Sequence, residues 1–220
     1  MSGTVPEHPK IYHILHIDRL PSVLAEGRLY SDSEVRRRGM TGTTVGMQKL
    51  KDDRLTLPAA CHPGTHVGDY VPFYFCSRSV MLYLLHKANY EDLTYRGGQE
   101  PIVTLEADLR TAVARAEAAR RPRAFSLGNA SAHYQDFRAD LAQLHEIRWD
   151  YIAATTWSGR GVSADVKESK QAEFLVHQRF PWSLVTRIGV RTVAMQARVA
   201  KLLETTAHRR PVHVRREWYY

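Results

Sequence analysis

Glu173 lies in KQAEFLV, an acidic residue between apolar neighbours in a stretch that otherwise reads as a buried strand. A carboxylate is almost never buried without a partner. It is therefore either paired with an arginine or set at the floor of a site, where burial raises its pKa and nearby cations lower it. Arg78 lies in FYFCSRSVMLY, between an aromatic strand and a helix. The free N–H groups of a helix start and a planar guanidinium together suit a phosphate or pyrophosphate; the alternative is a surface arginine beside a helix end. Tyr12 and His13 lie within IYHIL. A histidine there is either a satisfied core residue or a hydrogen-bonding group on the wall of a cleft. Tyr74 and Tyr83, on either side of Arg78, read as core.

Other chemistries have less support. Cys61, His62, His66 and Cys76 cluster loosely but lack a paired zinc spacing, so no metal is expected. The two cysteines read as reduced and structural. No G-x-S-x-G elbow supports a serine nucleophile. No G-x-G-x-x-G or P-loop follows a strand, which argues against a Rossmann or P-loop nucleotide site.

The elements that must carry these residues are mixed. Strands are expected at 11–15, 69–75, 101–108, 151–157, 171–178, 186–190 and 211–220, and Pro72 marks the second as an edge strand or a bulge. A helix capped by Asp18 runs to Glu26 and ends at Gly27. Further helices are expected at 77–88, 108–120, 133–146 and 193–206. Residues 39–68, rich in Gly, Thr, Pro and His, form a loop long enough to be functional. The polar segment 158–170 precedes the Glu173 strand and suits substrate recognition. The pattern is α+β, in one domain spanning 1–220, with strands too scattered for regular βαβ winding.

Thirty-one Lys and Arg against 23 Asp and Glu give a net charge of +8. The excess clusters at 36–54, with Arg36, Arg37 and Arg38, and at 187–216. Clustered cations favour a polyanion such as nucleic acid. No apolar run approaches the roughly 20 residues of a membrane span. MSGTVPEHPK lacks the apolar core of a secretory signal. The expected location is the cytoplasm, with no membrane partner.

IYHILHIDRLPSVLAEGRLYS, DYVPFYFCSRSVMLYLL and KQAEFLVHQRFPW, in that order, resemble the DarT family of DNA-modifying toxins. The resemblance implies an ADP-ribosyltransferase fold, with split β-sheets around an NAD cleft and helices about them. It implies transfer of ADP-ribose from NAD to a base of single-stranded DNA, typically thymine, although guanine-modifying relatives exist. It also implies a partner antitoxin whose macrodomain removes the modification. Residue by residue, Glu173 matches the catalytic glutamate, Arg78 the arginine needed for activity, and His13 the histidine of the NAD site. Tyr12 and Tyr74 join His13 and Arg78 as cofactor-binding candidates. Segment 158–170 matches the substrate-recognition loop, and segment 36–54 departs from the family's pattern.

The chemistry agrees with this reading. Breaking the nicotinamide–ribose bond develops positive charge on the ribose, as in glycoside hydrolysis, and a facing carboxylate stabilises it without a metal. Trp157 or Arg160 is expected to stack on the chosen base, and Arg36, Arg37 and Arg38 to grip the DNA backbone. Two alternatives remain. An NAD-dependent RNA 2′-phosphotransferase shares the fold but relies on basic residues around a phosphate. A non-enzymatic basic nucleic-acid-binding module explains the charge but leaves Glu173 unexplained.

Overall fold

The computed structural model describes residues 3–132, 136–204, 206 and 209–220. In chain order the elements are β1 (Lys10–His16), α1 (Leu20–Glu26), β2 (Arg28–Tyr30), α2 (Asp32–Arg37) and α3 (Gln48–Arg54). There follow β3 (Tyr70–Tyr74), α4 (Val80–Lys87), β4 (Ile102–Asp108), α5 (Leu109–Ala118), β5 (Arg123–Asn129) and β6 (Phe137–Arg138). The chain continues with α6 (Trp149–Ala153), α7 (Ala164–Ser169), β7 (Ala172–His177), β8 (Arg179–Pro181), β9 (Val185–Val190), α8 (Val193–Leu203) and β10 (Val212–Val214).

Among the described residues, one sheet runs in the order β10-β9-β4-β1-β3-β7-β5-β6, and β2 pairs with β8 separately. β1 and β4 pair along their whole length, from Lys10↔Asp108 to His16↔Ile102. β1 and β3 share only the Tyr12↔Tyr74 pair. The sheet is therefore nearly split at that seam, and His13, Pro72 and Tyr74 beside it line a cleft.

The strands form because their residues suit burial on both faces. β4 (IVTLEAD) is buried from Ile102 to Ala107, and β7 (AEFLVH) from Ala172 to Val176. Helix starts are fixed by side-chain caps: Ser79 accepts from the Leu82 N–H, Asp108 from Thr111 and Thr192 from Met195. α8 turns Met195, Val199 and Leu203 inward at four-residue spacing.

Several elements differ from expectation. β3 is interior, not an edge. Pro72 is tolerated because its carbonyl points at the β1 seam, where no ladder forms and the missing N–H goes unmissed. Asp18 does not cap α1; its carboxylate accepts from the N–H and hydroxyl of Thr43. The expected strand at 151–157 is helix α6 followed by irregular chain. The expected helix at 133–146 is strand β6 and a 3-10 turn over Leu141–Glu146, with 133–135 outside the described residues. The helix expected to reach 206 ends at Leu203, and residue 205 lies outside the described residues. The final strand shortens to β10, after which Trp218 lies flush on Gly189, where a Cβ would come within 2.3 Å of the indole.

Candidate active site

Glu173 is positioned by β7, directly across from Tyr74 of β3. Its N–H donates to Ser126 Oγ at 3.0 Å, which fixes the strand on the β5 side. The residue is only 5% exposed, and its side chain meets Arg54, the last residue of α3. Arg54 donates through Nη1 to Oε1 at 3.2 Å and through Nη2 to Oε2 at 2.8 Å. The two readings of Glu173 are thus both met: it is paired with an arginine and it lines the cleft. A bidentate fork of this kind holds a carboxylate in one orientation. Burial works to lower the Arg54 pKa, and the charge and hydrogen bonds of Glu173 more than offset it, so the guanidinium stays charged. A carboxylate has about four lone-pair sites, so the fork leaves acceptor capacity for the cleft.

Sequence reasoning missed Arg54. It lies within the stretch 39–68 taken as a loop, and QKLKDDR lacks the apolar periodicity that marks a helix. Its only signal was an arginine in a segment already singled out as functional.

The rest of the cleft is built from the β1 seam and the chain over it. His13 and Tyr74 both line it. His13 Nδ1 donates to the Pro72 carbonyl at 2.8 Å, so the neutral ring presents Nε2 as an acceptor. Burial lowers the His13 pKa, against the opposing effect of that bond. Tyr74 is pushed well above its ordinary value by burial and by the Glu173 charge, which keeps it a neutral phenol. The segment after α2 is tied across the cleft: Arg19 donates to the carbonyls of Thr43 and Gly42, each at 2.8 Å, and Lys51 to Asp32 at 2.7 Å. Four cations, Arg19, Arg28, Lys51 and Arg54, thus share the lining with Asp32, Glu173 and apolar Val45, Met47, Met81 and Leu84. Cations fit a pyrophosphate and an apolar wall fits a flat ring, which is the donor set that NAD requires.

The structure does not bring Arg78 or Tyr12 to this cleft. Both line a second pocket with Cys76, Trp157, Lys170 and Tyr220. Tyr12 and His13 are neighbours on β1 and so face opposite sides of the sheet. Burial, and then Glu106, hold the Tyr12 pKa high. The Arg78 guanidinium lies 4.1 Å from the Tyr220 ring centre. The cations lining the cleft are Arg19, Arg28, Lys51 and Arg54, so the expected grip of Arg78 on the cofactor has no geometric support.

The expected DNA contacts are also revised. Trp157 is 6% exposed, packed edge-on against Tyr83, with its N–H donated to Tyr220 Oη at 2.7 Å. Its ring has no free face for a base. Arg160 is exposed in the loop between Gly159 and Gly161, both at positive φ, and stays available. Arg37 and Arg38 both pair with Glu34, and Arg36 lies 3.6 Å from Asp52. Their charge is largely balanced on α2 and α3, which weakens the case for them as the backbone grip. Among the described residues no group of three His, Cys, Asp or Glu is placed to hold a metal, and no helix is long and apolar enough to cross a membrane.

Residues 12–220 match the family described as ssDNA thymidine ADP-ribosyltransferase, DarT. The chain belongs to the DarT family. A DNA ADP-ribosyl transferase of Thermus aquaticus is 37% identical over 212 residues, covering 96% of this chain and 88% of the relative. The structure of Thermus sp. 2.9 DarT in complex with ADP-ribosylated ssDNA superposes with a TM-score of 0.89 at 32% identity, covering 100% of both chains. The same protein in complex with NAD+ gives a TM-score of 0.81 at 32% identity, covering 99% of this chain and 100% of that one. As a DarT, the chain is an NAD-dependent DNA ADP-ribosyltransferase with the ADP-ribosyltransferase fold.

Proposed function

We propose that Glu173 and Arg54 are the catalytic pair with which this DarT transfers ADP-ribose from NAD to a thymine base of single-stranded DNA. The observation that carries the reading is the bidentate Arg54–Glu173 contact at the floor of a cleft rich in cations. NAD supplies the ADP-ribosyl group and a nicotinamide leaving group that departs with the bonding electron pair. Glu173 then faces the positive charge that develops on the ribose and lowers its energy. Arg54 holds the carboxylate aimed. Nε2 of His13 accepts a hydrogen bond from the bound donor. Arg19 offsets part of the pyrophosphate charge, beside Lys51 and its partner Asp32. As the base nitrogen attacks, its proton passes to the Glu173 carboxylate.

The choice of thymine rests on family membership. Mass spectrometry of oligonucleotides differing in a single base, after incubation with NAD, tests it: the adduct is expected on thymine-containing strands and absent when thymine is replaced. An adduct on guanine alone, or loss of a 2′-phosphate from RNA in its place, overturns it. Family membership also supports a toxin acting in the cytoplasm and opposed by a macrodomain antitoxin. Expression of the chain is expected to arrest growth, and co-expression of a macrodomain that removes the DNA adduct to relieve it.

A further inference from the structure

Several arginines on this surface meet a carboxylate. Arg36, Arg37 and Arg38 face Asp52 or Glu34, Arg138 faces Glu146, Arg148 faces Asp150, and Arg123 faces Glu117. Among the described residues, Arg28, Arg115, Arg121 and Arg179 do not. They line one pocket between the β2–β8 pair and α5, with no acidic residue in its wall. Arg28 and Arg121 donate only to neutral groups, the Glu26 and His177 carbonyls among them. The nearby carboxylate of Glu26 accepts from the Tyr30 hydroxyl, and that of Glu117 is taken by Arg123. Like charges held together without a counter-charge destabilise the fold. The cost shows at Arg121, whose pKa is lowered by burial and then by Arg179 and Arg28. Arg28 also lines the Glu173 cleft, so the pocket and the cleft share a wall.

We propose that this arginine pocket is a phosphate subsite that holds the backbone of the single-stranded DNA beside the nucleotide in the cleft. The proposal rests on the DNA-modifying reading of the cleft. Guanidinium forks match phosphodiester oxygens, and all four cations are arginine. The pocket's only aromatic residue, Phe180, is fully buried and offers no platform for a base. The subsite therefore grips the strand without reading its sequence.

The test is the combined variant Arg115→Gln/Arg121→Gln/Arg179→Gln, with Arg28 left intact because it lines the cleft. Affinity for a long single strand, followed by fluorescence anisotropy, is measured against salt, and turnover is measured on a long strand and on one just filling the cleft. Losing three phosphate contacts is expected to reduce the logarithmic salt slope by about 2, and to raise KM for the long strand about tenfold with kcat unchanged. The short strand is unaffected. The variant Arg115→Gln/Arg179→Gln keeps the Arg121 bond to the His177 carbonyl, guards against misfolding, and is expected to lower the slope by about 1. An unchanged slope, or equal losses on short and long strands, overturns the subsite. Inorganic phosphate that fills the pocket without affecting long-strand KM assigns it to a free anion and also overturns it. If the unaltered protein binds DNA but makes no adduct, the activity reading fails while the slope still judges the subsite.

Discussion

Glu173 and Arg54 make the most direct predictions at the residue scale. Glu173→Gln keeps the shape of the carboxylate and removes its charge, so transfer should fall by about 10²–10³ with NAD binding little changed. Single-turnover assays beside calorimetric titration with NAD separate the two; undiminished turnover would remove Glu173 from the chemistry. Arg54→Ala leaves a buried carboxylate without its partner, which costs roughly 3–5 kcal/mol of stability. Denaturant unfolding should show that loss, and Arg54→Lys should restore part of the stability but less of the rate, since an ammonium cannot form the fork. His13 adds a pH dependence. Its folded pKa lies below the ordinary 6.5, so the unfolded chain binds the proton more readily. The stability it preserves is therefore complete above that value and declines as pH falls beneath it. Lys51 and Arg19 reinforce the lowering and Asp32 opposes it. Thermal unfolding of the NAD-free protein between pH 7 and pH 5 should be less pH-sensitive in His13→Gln, which keeps a donor for the Pro72 carbonyl but does not titrate; identical profiles would contradict this.

Among the elements, the chain before β7 depends on contacts far away in sequence. Lys170 donates to the carbonyls of Ile152 and Ala154, at 2.5 and 2.8 Å. Tyr220 accepts from Trp157 and donates to the Arg78 carbonyl at 3.1 Å, while its ring packs against Tyr83. Burial pushes the Tyr220 phenol up to about 12, so it remains a donor throughout the working range. One hydroxyl thus joins the strand–helix junction at Arg78 to the start of the loop 158–170. Tyr220→Phe strands the Trp157 N–H and should cost roughly 1–3 kcal/mol. Amide exchange around 154–163 should quicken, with the KM for DNA rising more than the KM for NAD. Unaltered exchange there would show that the loop holds its shape without Tyr220. α3 is the corresponding case on the other side of the cleft: a short, polar helix fixed by Lys51–Asp32 and Arg54–Glu173, with no apolar face of its own.

For the whole molecule, a base must leave its stack before it can enter a cleft, which costs a few kcal/mol in a duplex and little in a single strand. Adduct formation should accordingly be much faster on a single strand than on the same sequence in duplex form, and equal rates would show that the enzyme opens DNA by itself. The net charge of +8 suits that substrate, but where the charge is free to act was not legible in the sequence. The run Arg36–Arg38 looked free and is paired with Glu34 and Asp52, whereas Arg28, Arg115, Arg121 and Arg179, dispersed along the chain, converge on one pocket. By itself the sequence determined what depends on local pattern: β1, β7, α4, α5 and α8, whose composition and spacing are read residue by residue, and Glu173 as an acid out of place in an apolar strand. Only the tertiary structure decided which partner that acid takes, which tyrosine covers Trp157, and on which side of the sheet Arg78 lies. Those are contacts between residues as far as 142 positions apart, and nothing in the local sequence of either partner encodes the meeting.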